Sequence, residues 1–273
     1  CEQYSGILKI LIIGGGYMGE AILKGMITSE QFDNKDISVI EIDKEKRANL
    51  VKYNIETFDN YSQIVNAQII LLAVKPQQIK ELLNEIKNEI NKSTLIISIA
   101  AGTSIKSIKT ILKDQPIIRV MPNLLSEIGY GTSVFTIGEK VSKNEVDFTK
   151  KILNSFSKLV LQVDDEKSIN AATAIHGSGP AYFFLFIESI IQAAMSIGIK
   201  SDDAKKLAVS TMIGSGYYIE NSKMSLSDMQ AAVASPGGTT EAALKILEEN
   251  NWQQLIEKAI NGAFVRANEL SEE

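Results

Sequence analysis

The rhythm of apolar and polar positions changes once along this chain. Over roughly the first 165 residues, short apolar runs alternate with amphipathic stretches. Residues 7–13, 37–42, 68–74, 94–99, 116–121 and 132–137 are runs of strand length, rich in Ile, Leu and Val. Helical periods cover 18–28, 44–53 and 76–91 between them. Apolar strands spaced by helices predict a parallel sheet covered on both faces. From Lys167 onward the strand pattern all but disappears, and helices are expected over 181–197, 202–220, 227–234, 240–249 and 252–270. Breaks fall at Gly198, at Asn221-Ser222 and at Pro236-Gly237-Gly238. The expected fold class is α/β, with a doubly wound N-terminal domain over 1–165 and an all-helical C-terminal domain over 166–273. No linker or internal repeat separates them.

Composition narrows the function classes. Apolar residues make up 45% of the 273 positions and charged ones 22%, which suits a globular protein with two buried cores. A net charge of -5 argues against a nucleic-acid partner, since phosphate binding wants a basic face. The best candidate for a membrane span, 181–195, is interrupted by Glu188 and Gln192, so no membrane role is expected. Cys1 is the only cysteine, which rules out an internal disulfide and a thiolate metal cluster. No metal is expected. The first residues lack the charged head and apolar core of a signal peptide, and the expected location is cytoplasmic. Cys1 in place of methionine suggests an added remnant or a processed end. The surplus of apolar helix surface points to a second copy as partner, and a homodimer is expected.

Chemistry enters at Gly14-Gly15-Gly16-Tyr17-Met18-Gly19, a G-x-G-x-x-G that follows a strand and opens a helix. In that setting the first glycine makes the tight turn and the second admits a pyrophosphate. The third lets helix and strand pack closely, and the helix N-terminus faces the phosphates. The N-terminal domain is therefore expected to be Rossmann-like. Glu41 lies 22 residues after Gly19 at the end of the second apolar run. A carboxylate there accepts from a ribose 2′-hydroxyl and repels a 2′-phosphate. Glu41, or Asp43 if the strand runs two residues further, leans the cofactor toward NADH. Lys44, Lys46 and Arg47 follow closely, so NADPH stays open.

The run Val233-Ala234-Ser235-Pro236-Gly237-Gly238-Thr239-Thr240 precedes another helical stretch. Its glycines let backbone approach a ligand, and the free N–H groups of a helix start suit a small carboxylate. An N-cap after a tight turn would use the same residues. Gly177-Ser178-Gly179-Pro180 likewise reads as a helix cap, with proline in the first turn. His176, the only histidine, is expected to line that loop instead of acting as a general acid.

These blocks, with Ala73-Val74-Lys75-Pro76-Gln77 and Arg119-Val120-Met121-Pro122-Asn123, resemble the pyrroline-5-carboxylate reductase family over about residues 10–270. The resemblance implies a helical dimerisation domain that also binds substrate, and hydride transfer from NAD(P)H to 1-pyrroline-5-carboxylate, giving L-proline. By matched position it implies that Gly14, Gly16, Tyr17, Met18 and Gly19 hold the pyrophosphate. Asn60 falls on the adenosine side, Ala73, Val74, Lys75 and Pro76 border the cofactor, and Ala101 lies near the nicotinamide. Ser235, Gly237, Gly238, Thr239 and Thr240 would hold substrate, with Ser178 nearby and Thr240 at the imine nitrogen. It further implies that the helical half completes an active site beside the opposite subunit's nucleotide domain, with rings of dimers as a larger assembly.

Imine reduction needs little beyond positioning, a hydride donor and a proton for nitrogen. A threonine hydroxyl can relay that proton, so no histidine is required. The chain departs from the family pattern at Leu124-Leu125, where Thr-Pro is usual, at Ala232, often Asn, and at Glu41-Ile42-Asp43. Alternatives are a paralogue reducing a related cyclic imine and a non-enzymatic nucleotide-binding regulatory member of the family. More remote is a β-hydroxyacid dehydrogenase, imitated by Lys167-Ser168-Ile169-Asn170 without the glycine that should precede it.

Overall fold

A computed structural model of the chain describes residues 9–272. Eight strands form one sheet in the order β3-β2-β1-β4-β5-β6-β7-β8. In chain order they are β1 (Ile10–Ile13), β2 (Ile37–Ile40), β3 (Glu56–Phe58), β4 (Ile69–Leu72), β5 (Leu95–Ser98), β6 (Ile117–Met121), β7 (Gly131–Ile137) and β8 (Ser157–Gln162). Helices α1 (Tyr17–Thr28), α2 (Lys44–Leu50), α3 (Pro76–Ile86), α4 (Ile105–Ile111) and α5 (Lys143–Asn154) cover the two faces. The expected strand 7–13 appears as β1; Cys1, Ile7 and Leu8 lie outside the described residues.

The sheet follows from strand composition. Ile10 and Ile12 of β1 enter one apolar layer with Ile22, Leu23 and Met26 of α1. Leu11 and Ile13 enter the opposite layer with Ile79, Leu82, Leu83 and Ile86 of α3. The spacing of those four α3 residues, at i, i+3, i+4 and i+7, puts them on one stripe. Each such buried side chain contributes about 1.5–3 kcal/mol. β6 and β7 are the antiparallel pair. Their connection, only the 3-10 turn Leu124–Ile128 and its flanks, is too short for a crossover helix.

Pattern reading passed over β3 and β8. Both are edge strands, and polar residues leave each only a short apolar run, Phe58 alone in β3 and Leu159–Leu161 in β8. It also carried the second strand to residue 42, whereas β2 ends at Ile40.

The chain packs as two compact units. The first runs through Ser178 and takes the chain back from Ala263; the second is Gly179–Gly262. In the first, α6 (Glu166–Ala172) follows the sheet, and a π-helical turn, Thr173–Gly177, succeeds it. Buried Arg119 of β6 donates to Glu166 Oε1 and Asn170 Oδ1, both at 2.9 Å. Asn170 donates in turn to Asn268 Oδ1 at 3.0 Å, and Ser271 donates to Asn170 Oδ1 at 3.1 Å. This polar network fixes the returning chain to the sheet, and its members satisfy one another.

The second unit holds α7 (Gly179–Ser196), α8 (Ser201–Asn221), α9 (Leu226–Val233), α10 (Thr239–Glu249) and the first half of α11 (Trp252–Glu272). Its large apolar side chains stay at the surface: Phe183, Phe184 and Leu185 are all more than half exposed. The helical run Glu166–Ser196 is long and apolar enough, by length and composition, to cross a membrane.

Candidate active site

At the C-terminal edge of the sheet, between β1 and β4, the strand order reverses. That switch point is where an open α/β sheet takes a ligand. A cleft of about 400 Å³ opens there, lined by Gly14, Gly16, Glu41, Ala73, Val74 and Lys75 among others. Gly14 has φ +105, and a Cβ there would lie 2.7 Å from the Ala73 carbonyl oxygen. At Gly19 a Cβ would lie 2.0 Å from the Gly14 oxygen, so helix and loop touch only because the side chain is missing. Gly16 differs: a Cβ on it would meet nothing within 4 Å. No neighbour in the fold requires that glycine, and it borders the cleft.

Gly16 is also the N-cap of α1, and no side chain caps that helix. The first N–H groups of an α-helix have no intrahelical acceptor, so this terminus is an anion site. Open space at Gly16 and an uncapped helix start fit the pyrophosphate of a dinucleotide.

Glu41 follows β2 directly and is buried. Its Oε2 accepts from Gly15 N at 2.8 Å and its Oε1 from Asp43 N at 2.9 Å. The carboxylate is held rigidly in the cleft, with lone pairs left for a ribose hydroxyl. Asp43 does other work: its Oδ1 caps α2 by accepting from Glu45 N at 3.0 Å and Lys46 N at 3.1 Å. Those backbone donors, Lys46 N foremost, hold the Asp43 carboxyl below its ordinary range. Arg47 donates to the Glu41 carbonyl at 2.7 Å and pairs with Asp59 at 3.3 Å. Lys46 and Lys75 are the cations that line the cleft, Lys46 on the side of Glu41 and Asp43.

Of the other cofactor candidates, Tyr17, Met18 and Gly19 open α1, and Pro76 opens α3. Ala101 follows β5 and is exposed. Asn60 lies in an exposed turn, its Oδ1 accepting from Ser62 N at 3.1 Å. Its neighbour Tyr61 reaches the cleft instead. Burial, with Glu85, Glu81 and Glu41 adding to it, raises the Tyr61 hydroxyl above its ordinary range and keeps it a donor. Gln78 also lines the cleft. Only the alternation of faces on α3 could have signalled it.

The second unit holds the other candidate loop. Gly237 has φ +70, and Gly238 N donates to the Ser235 carbonyl at 2.9 Å. That tight turn leads into α10, whose N-cap, Gly238, brings no side chain. Thr239 and Thr240 are its first two residues. Glu241 was missed as a loop residue: its Oε2 reaches back to Gly237 N at 2.7 Å. A Glu at the third helical position commonly reaches back to the helix start, and here it takes the N–H one residue before the N-cap Gly238. Ser178 lies in the first unit, its N–H closing onto the Thr173 carbonyl at 3.0 Å.

His176 is committed to backbone. Nδ1 lies 2.7 Å from the Ala172 oxygen and Nε2 2.8 Å from the Met121 oxygen. Asn123 donates to the His176 carbonyl at 3.0 Å. The histidine thus staples the turn after β6 to the turn before α7. Among the described residues, no group of three His, Cys, Asp or Glu side chains could hold a metal ion.

Comparison with known proteins decides the family. The pyrroline-5-carboxylate reductase of Haemophilus influenzae is 33% identical, over 96% of this chain and 97% of its own. The chain belongs to the pyrroline-5-carboxylate reductase family. The solved pyrroline-5-carboxylate reductase from Coxiella burnetii superposes with a TM-score of 0.89 at 34% identity, covering 97% and 99% of the two chains. The Plasmodium falciparum pyrroline carboxylate reductase, solved with NADP bound, has a TM-score of 0.87 at 27% identity, covering 97% and 98%. Residues 166–270 match the model for pyrroline-5-carboxylate reductase dimerisation. Residues 9–102 match that for NADP oxidoreductase, coenzyme F420-dependent. The exposed apolar helices of the second unit thus lie in the part of a family chain that pairs with another subunit.

Proposed function

We propose that this chain reduces 1-pyrroline-5-carboxylate to L-proline at the expense of NAD(P)H, the last step of proline biosynthesis. The observation that carries the reading is the match to pyrroline-5-carboxylate reductases over nearly the whole chain. When bound, the reduced nicotinamide supplies the hydride for the imine carbon. The chain's own residues hold and orient. The N–H groups opening α1 hold the pyrophosphate, and Glu41 accepts from the adenosine ribose. The loops at 73–76 and at Ala101 border the rest, with Asn60 near the adenosine. Ser235, Gly237, Gly238, Thr239 and the opening N–H groups of α10 hold the substrate carboxylate, with Ser178 at its edge. The Thr240 hydroxyl polarises the imine nitrogen and relays to it a proton from water. Such positioning accounts for most of the rate, because an iminium is already electrophilic.

Three finer readings belong with this one. The functional boundary lies near residue 165, close to where the dimerisation match begins. The enzyme works in the cytoplasm as a homodimer, or a ring of dimers, whose helical domain completes the partner's active site. NADH is preferred, because the Glu41 carboxylate is fixed in the cleft by two backbone N–H groups.

Leu124 and Ala232 favour one second reading, a paralogue acting on a related cyclic imine. The deciding assay follows NADH and NADPH oxidation with 1-pyrroline-5-carboxylate and with its six-membered homologue. Proline formation with the five-membered substrate is expected. Turnover of the larger ring alone would transfer the assignment to the paralogue, and no turnover of either would sink both.

A further inference from the structure

Tyr17 opens α1, and its side chain is more than half exposed. Its hydroxyl donates to Glu127 Oε2, on the 3-10 turn Leu124–Ile128 that follows β6. The two residues are 110 positions apart in sequence. In the sheet, β4 and β5 stand between β1 and β6. All four strands run parallel, so their C-terminal ends share one edge. The hydrogen bond therefore joins the loop closing β1 to the turn closing β6. Between them lie the ends of the two strands whose loops carry Ala73, Val74, Lys75 and Ala101.

Glu127 stands on a fixed base. Asn123, buried before the turn, donates to the His176 carbonyl at 3.0 Å and accepts from Thr132 N at 3.1 Å. Gly129, with φ +75, ends the turn in the left-handed region. α1 packs directly against this turn. Hydrogen bonding to Glu127 raises the Tyr17 hydroxyl above its ordinary range, so it remains a donor at neutral pH.

The direction of a bound dinucleotide follows from the cleft. Its adenosine end belongs beside Glu41 at the end of β2, and its pyrophosphate at the start of α1. The remaining half has to run over the ends of β4 and β5. We propose that Tyr17 and Glu127 form a strap beside the nicotinamide half of the cofactor, a positioning pair that holds that ring over the ends of β4 and β5. The proposal rests on the dinucleotide reading of the cleft. Neither residue takes part in bond making.

Titration of NADH, NADPH and ADP-ribose into the full chain tests it, with wild type, Tyr17→Phe, Glu127→Ala and the double variant. Each single variant should bind the tighter nicotinamide dinucleotide roughly 2- to 13-fold more weakly, the range for one typical solvent-exposed hydrogen bond. The double variant should be no weaker than either single one, because both remove the same contact. ADP-ribose, which lacks the nicotinamide, should bind all four proteins alike. At saturating cofactor, kcat should fall while KM for the imine holds. Equal weakening of ADP-ribose would overturn the strap, since the pair would then act on the glycine loop alone. Losses that multiply in the double variant, or no loss, would also overturn it. If Tyr17→Phe fails to fold, Glu127→Ala and Glu127→Gln carry the test, the latter keeping an acceptor and most of the affinity. A wild type that binds none of the three ligands removes the dinucleotide reading itself, a different result from variants matching a wild type that binds.

Discussion

Two stretches of similar apolar content meet opposite fates. In β1 every side chain is buried, from Ile10 to Ile13, none above 1% exposure. In α7, Phe183 and Phe184 are 57% exposed and Leu185 65%. The strand finds partners within its own unit: helices cover both faces, and neighbouring strands satisfy its backbone. The helix satisfies its backbone alone, so nothing forces its neighbours to close over it. Apolar surface left this way reports an assembly, and the dimerisation match covers this stretch. A sheet core is completed within one chain; the helical half leaves apolar surface for a partner, and it matches the family's dimerisation region.

The contrast breaks most visibly under two substitutions. Ile12→Ala should cost about 2–5 kcal/mol of stability, independent of protein concentration, as a cavity in a closed core does. Phe184→Asp should leave the sheet unit's unfolding unchanged but weaken self-association roughly 30- to 1,000-fold, as loss of a central interface aromatic does. Chemical denaturation and light scattering over a dilution series separate the two. A wild type that stays monomeric and fully active would dissolve the comparison.

Within the glycine loop the same question can be asked of two neighbours. Gly19→Ala forces a Cβ toward the Gly14 oxygen and should destabilise by about 1–3 kcal/mol or more, the cost of overpacking. Gly16→Val puts its Cβ into open space, so it should cost less stability than Gly19→Ala, chiefly that of a poorer N-cap, while cofactor affinity drops on the order of 10-fold or more. Equal affinity in the Val variant would mean that the pyrophosphate lies elsewhere.

Smaller effects sharpen the roles of single groups. Thr240→Ala should lower kcat/KM roughly 10- to 100-fold with cofactor affinity unchanged, the weight of one catalytic hydrogen bond. Wild-type turnover would take Thr240 out of the mechanism. Glu41→Gln removes the charge and keeps an acceptor for only one of the two backbone donors, Gly15 N and Asp43 N. It should move the NADPH/NADH ratio of kcat/KM about 5- to 30-fold toward NADPH, since a like-charge clash near the surface is worth about 1–2 kcal/mol. Both cofactors must be compared at one ionic strength. An unmodified enzyme at least ten times better with NADPH would turn attention to Lys46, a cation that lines the cleft with Glu41 and Asp43.

Legibility followed burial. The central strands β1, β4 and β5 were readable because both faces are apolar, which leaves an unbroken run in the chain; β6 was readable despite Arg119 at its middle. Edge strands β3 and β8 were not, because one side faces water and polar residues interrupt the pattern. Asp43 lines the cleft as Glu41 does, but β2 stops at Ile40 and Asp43 also caps α2, a second task that the run of residues does not announce. Asn60 and Tyr61 are adjacent in sequence, and only the turn after β3 decides which faces the cleft.

The α/β fold with a helical C-terminal part, the glycine loop at a helix start and the family can all be read along the chain. Those depend on periodicity, on glycine's missing Cβ and on ordered motifs, all local properties. Tertiary structure alone decided which groups meet across long separations. It committed His176 to the Met121 and Ala172 carbonyls, Arg119 to Glu166 and Asn170, and Tyr17 to Glu127. Side-chain hydrogen bonds act over about 3 Å, and no pattern along the chain encodes which distant turn the sheet will bring within that reach.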